Sequence, residues 1–171
     1  TLLALIAGVI GTTWQAIEAR RERDVAIFQA ERAFAKGNLV NLMLGAIGDA
    51  DHPLTQREIL ERSVTLIEKQ FSRDPRIAVD LLLPIAGQYL TLGDTAREYA
   101  VMQRAGAIAT ASGDPALIAD VACSTVETDL MRDRIDLAQA QLATGQQALA
   151  QLKQPDLGTS LSCVQAEADL A

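Results

Sequence analysis

Rings are scarce in this 171-residue chain: three Phe, two Tyr and one Trp make up only 4% of it. Valine and isoleucine are dispersed rather than gathered into alternating runs, which argues against half-buried strands, since these draw on β-branched and aromatic side chains. Cys123, Cys163 and the single His52 are too few and too far apart for a zinc site, which takes four Cys or His ligands at close spacing. Basic clusters are nearly missing too. Arg20, Arg21 and Arg23 form one short run in a chain of net charge −7 and pI near 4.7, which excludes the counterion-releasing surface a nucleic acid requires. Gly45, Gly48 and Gly113 stand outside any phosphate-cradling pattern, so no nucleotide or other cofactor is expected.

What the chain does have is 49% apolar content dominated by Ala and Leu, enough for a sizeable core of helix-forming material. The expected fold class is all-α.

Residues 1–13, TLLALIAGVIGTT, hold no charge and are followed by Trp14, Glu18, Arg20 and Arg21. A bilayer-spanning helix needs about 20 apolar residues, so this run is expected to be the end of a transmembrane segment rather than a whole one. The other reading is a buried helix or an apolar arm through which the chain forms a homo-oligomer. The basic residues follow the apolar run, which disfavours a signal peptide. With the other flank unseen, charge alone does not orient the chain across the membrane.

Residues 14–48 read as linker helices. Ala, Glu and Arg fill the stretch to Lys36, Gly37-Asn38 weakens it, LVNLMLGAI continues it, and GDADHP ends it. From residue 55 the start signals recur. Thr55-Gln-Arg-Glu58 and Thr95-Ala-Arg-Glu98 both have the form of a capping box, and Asp74-Pro75 and Asp114-Pro115 both read as N-cap followed by proline. Pro84 is expected to kink its helix or shift its hydrogen bonding. The turns Gly93-Asp94 and Asp133-Arg134 lie 40 residues apart. Recurring helix-turn-helix units point to a helical solenoid, here expected at a period of about 34 residues with insertions between units.

Within this pattern Leu82, Ile85, Ala86, Tyr89 and Gly93, followed by Met102 and Ala105, resemble the tetratricopeptide repeat. Glu98 stands where that repeat has a small residue. The second unit departs further, with Asp129 for the aromatic and Asp133 for the turn glycine, while Ala138, Leu142 and Gly145 keep its second helix, and the third unit is a first helix alone. The order of an apolar segment ending in GTTWQA, an Ala/Arg/Glu-rich helix, LVNLMLGAI, LTQREILERS and then tetratricopeptide-like units over residues 5–153 resembles the C-terminal half of bacterial membrane-anchored serine/threonine protein kinases. The resemblance implies a sensory or protein-binding part outside the cytoplasm, in a single-pass membrane protein. No kinase motif stands in this chain.

No catalytic set emerges. Asp49, Asp51 and His52 crowd a Gly/Pro loop, where turn formation accounts for them, and Glu127 and Asp129 are two apart on a helix and point to different faces. What remains is binding of a protein or peptide. Asp80, Leu83, Gly87, Leu90 and Thr91 from one unit, with Asp120, Cys123, Glu127, Leu130 and Met131 from the next, are expected to line a groove suited to basic and apolar side chains. Cys123 and Cys163 read either as one disulfide, in an oxidising compartment, or as two small buried residues on successive helices. The last helix has no partner within the chain, so Leu161, Val164 and Ala168 are expected to be exposed or packed on another chain.

Overall fold

A computed structural model describes residues 54–171, and the expectations for residues 1–13, for residues 14–48 and for Asp49, Asp51 and His52 lie outside them. The described chain is all-α, with helices α1 Gln56–Gln70, α2 Pro75–Thr91, α3 Thr95–Ser112, α4 Pro115–Leu130, α5 Ile135–Leu149 and α6 Leu157–Asp169. None of these is long and apolar enough to cross a membrane.

Local chemistry sets the starts. The Thr55 hydroxyl accepts from the Glu58 N–H while the Glu58 carboxylate takes the Thr55 N–H at 2.7 Å, a complete capping box. Asp74, Asp114 and Asp156 cap α2, α4 and α6 through their side chains, the first two followed by proline. The second expected capping box does not form. Asp94, one residue earlier, takes the Arg97 N–H at 3.2 Å and becomes the N-cap, which leaves Thr95 inside the helix and frees Glu98 to point into the core. Pro84 sits on the exposed side of α2 and does not end that helix.

The period is 40 residues, not about 34. α2 and α4 begin at Pro75 and Pro115, and α3 and α5 at Thr95 and Ile135, so each helix with its turn takes 20 residues. Longer helices, not insertions, make up the difference. The turns also repeat. The Asp94 N–H reaches the Tyr89 carbonyl at 2.9 Å and the Arg134 N–H reaches the Asp129 carbonyl at 3.0 Å, with Gly93 (φ 70°) and Asp133 (φ 54°) in the left-handed conformation. Asp is among the few side chains that tolerate it, which is why Asp133 can stand where the first turn has glycine.

α2 pairs with α3 and α4 with α5, while α4 also touches α2, and α6 lies on α4 and α5. As the central element α4 buries nine of its 16 residues. Tyr89, Ile67, Leu82, Val79, Val126 and Asp129 are the largest fully enclosed side chains. α1 and α3 are joined at the surface by Arg97–Glu61 (2.7 Å) and Arg104–Glu68 (3.4 Å), and Arg57 reaches the α3 cap Asp94 at 2.9 Å.

Cys123 of α4 and Cys163 of α6 form a disulfide, with Cα atoms 4.9 Å apart. It is enclosed by Val126, Ala138 and Ala166, with Leu130, Leu142, Leu149 and Leu170 around them. On the other side of α6, Leu157, Leu161 and Val164 are 74%, 57% and 61% exposed, and Ala168 is exposed with them.

Candidate functional site

The residues expected to line a groove divide according to their depth. They fall on α2 and α4 as pairs 40 residues apart: Asp80 with Asp120, Leu83 with Cys123, Gly87 with Glu127, Leu90 with Leu130, Thr91 with Met131. Since α2 and α4 touch, the pairs occupy neighbouring helices. Gly87, Thr91, Glu127 and Met131 are exposed, whereas Asp80, Leu83, Leu90 and Asp120 are half-buried. The Thr91 hydroxyl donates to the Gly87 carbonyl at 2.9 Å, so it is already engaged. Cys123 is no groove residue, being consumed by the disulfide, and half-buried Leu130 packs on the core around that bond because α6 covers this part of α4. The accessible part of the face is acidic through Glu127 and apolar through Met131, which is 47% exposed.

A second cluster, at the junction of α3, α4 and α5, escaped the sequence reading. Asp129, 2% exposed, holds Arg134 at 2.7 Å. The Arg134 and Arg132 guanidinium carbons stand 4.2 and 4.6 Å from the Tyr99 ring centre, a double cation–π contact. Arg132 also donates to the Thr95 carbonyl. Glu98, 3% exposed, accepts from the Thr128 hydroxyl. Burial lifts the Glu98 carboxyl above its ordinary pKa, the Thr128 hydrogen bond and the Arg132 charge oppose that, and Glu127 and Asp129 add to it. One signal was legible in the chain: Glu98 shares a helical face with Val101, Met102, Ala105 and Ala109, all buried.

Two consequences are measurable. Truncating Arg134 leaves a buried carboxylate alone, so Arg134→Ala is expected to lose about 2–4 kcal/mol in urea unfolding at pH 7, whereas Asp129→Asn, which leaves a cation 29% exposed, should lose less. An equal or reversed order would refute the charge argument. For Glu98, a raised folded-state pKa means the folded chain favours the protonated acid. Its contribution is fully present below the unfolded pKa and is lost as pH rises through the folded one. Glu98→Gln is therefore expected to melt above the wild type at pH 7, with the gap closing as pH falls into the ordinary Glu range. A gap independent of pH would assign the effect to packing.

Among the described residues no group of three or more His, Cys, Asp or Glu could hold a metal ion. Within the charge cluster Glu98 Oε2, Arg132 Nε and Arg134 Nε are buried without a hydrogen-bond partner, and the accessible part of the α2 and α4 face carries Glu127 and Met131. No protein-family model, curated protein or solved structure matches the chain.

Proposed function

We propose that residues 54–171 are a tetratricopeptide-like helical-repeat module that binds a protein or peptide, carried by a membrane-anchored bacterial signalling protein whose upstream part is a serine/threonine kinase. The 40-residue register carries this reading: hairpins α2–α3 and α4–α5 start and turn at equivalent positions, and α6 adds a further first helix against α4. The likeness lies in packing order and turn chemistry, because successive helices start 20 residues apart where a 34-residue repeat allows about 17. Stacked first helices offer α2 and α4 as an inner face, where Glu127 and Met131 favour a basic and apolar peptide.

The buried Cys123–Cys163 bond supports placing this module on the oxidising side of the membrane, since such bonds persist there and are kept reduced in the cytosol. In this reading residues 1–13 end the span and the linker carries partner binding to the kinase.

Selection of displayed random peptides against the oxidised chain tests the face. Enriched sequences should combine Lys or Arg with Leu or Ile, and Glu127→Lys with Met131→Glu should weaken them at least tenfold. Selected peptides that bind the double variant as well as the wild type would remove this face from the proposal.

A further inference from the structure

The 40-residue register allows each gap between second helices to be compared with the next. Between α1 and α3 the gap is filled and bridged. Leu66 and Ile67 stand on α1 with Phe71 at its C-cap, and Leu82 and Ile85 on α2, all at least half-buried, with the Arg97–Glu61 and Arg104–Glu68 pairs across the top. One register on, between α3 and α5, the same positions hold Gly106, Ala107, Ala111, Ala122 and Thr125. The four charged positions become Val101, Leu137, Ile108 and Thr144. Ile118, larger than its counterpart Ala78, does not refill the space. The result is a cleft of about 510 Å³, walled by α3 and α5 and floored by α4.

Its walls carry no ionisable side chain. The Thr125 and Thr144 hydroxyls donate to the Val121 and Ala140 carbonyls at 2.7 and 2.8 Å, so neither needs a ligand partner. Gly106 is not demanded by the backbone: an added Cβ would meet only Val121, at 3.9 Å. A glycine inside a helix costs stability relative to alanine, and here that cost has no structural return except an open cleft. The lining runs from Met102 to Ala111 along α3, roughly 14 Å at the helical rise, so an extended molecule of that length fits along it.

We propose that this cleft binds a slim, uncharged apolar molecule, an aliphatic chain or rod lying parallel to α3 and α5, at a site separate from the α2 and α4 face. Its volume falls within the range of small-molecule pockets.

Diphenylhexatriene, an uncharged rod that fluoresces on leaving water, is the probe. Titrated into the oxidised chain it should bind saturably. Gly106→Leu with Thr125→Ile, which restores the side chains of the preceding register, should weaken binding at least tenfold without lowering the melting temperature, and Gly106→Ala alone should raise that temperature. If the filled variant does not fold, Thr110→Lys, at an exposed lining position, decides the matter and should also weaken binding tenfold. The proposal is overturned by binding that does not saturate, by binding that a folded variant of either kind leaves unchanged, or by binding lost instead in Leu161→Ser with Val164→Ser on α6.

Discussion

Gly145→Ala is expected to destabilise the domain by about 2–3 kcal/mol, although alanine normally stabilises a helix interior by about 1 kcal/mol over glycine. A Cβ on Gly145 would stand 2.3 Å from the Cys123 sulfur and 3.4 Å from the Ala119 carbonyl oxygen and the Cys123 nitrogen. The nitrogen and oxygen contacts are tolerable, whereas the sulfur contact is not. The sulfur cannot swing away because it is bonded to Cys163 on α6, itself 3% exposed. α5 thus approaches α4 closely over the disulfide, and only a residue without a side chain lets it. In a Cys123→Ala/Cys163→Ala background the sulfur is gone and Gly145→Ala should become neutral or stabilising. Urea unfolding of the four chains in a double-mutant cycle should give a coupling of about 2 kcal/mol or more. An equal cost in both backgrounds would show that the backbone contacts, not the disulfide, exclude the methyl group.

Loss of the disulfide itself has the other large expected effect. The bond closes a segment 40 residues long, for which the chain-entropy relation gives about 4 kcal/mol. The loss should fall unevenly. α6 buries Thr159, Cys163 and Ala166 and sets its C-cap Leu170 against the core around the disulfide, while its Leu157, Leu161 and Val164 side chains face outward, so the cross-link is a large share of what holds it to α4. Under reducing conditions the α6 amides are expected to exchange hydrogen almost as fast as an unfolded chain's, while α2 and α3, with Tyr89, Leu82 and Val79 fully enclosed, keep their protection. Hydrogen-exchange mass spectrometry with and without a phosphine reductant reads this directly. Uniform loss of protection would make α6 part of the same cooperative unit, and no loss at all would mean that packing alone holds it.

The helices were legible because their starts are local chemistry. Asp74-Pro75, Asp114-Pro115 and Thr55 with Glu58 act within one turn, and the structure uses all three as the sequence implies. Thr95 with Glu98 misled because the same motif has a competitor: Asp94 captures the Arg97 N–H first. Glu98 was then available for Thr128, 30 residues away, a partner no local pattern names. Cys123 and Leu130 were placed by helical spacing alone, and the structure sets both against the core around the disulfide. Helical spacing says which α4 residues share a face but not that α6 will lie on it. Likewise Arg134 and Asp129 read as a turn residue and a lost aromatic, and only their common approach to Tyr99 shows them to be a buried pair.

By itself, then, the sequence determined the all-α class, three of the helix starts and the 40-residue spacing of the two turns, because capping, proline placement and left-handed turn residues act over a few positions and owe nothing to distant partners. That 40 residues is the repeat itself, and not a unit of about 34 with insertions, came from the helix lengths. Only the tertiary structure decided that Cys123 and Cys163 pair, that Gly145 must lack a side chain, that Glu98 is buried and that a cleft opens between α3 and α5. Each of those depends on which helices come to lie side by side. That choice is made by summed burial across the whole domain and is not written at any single position.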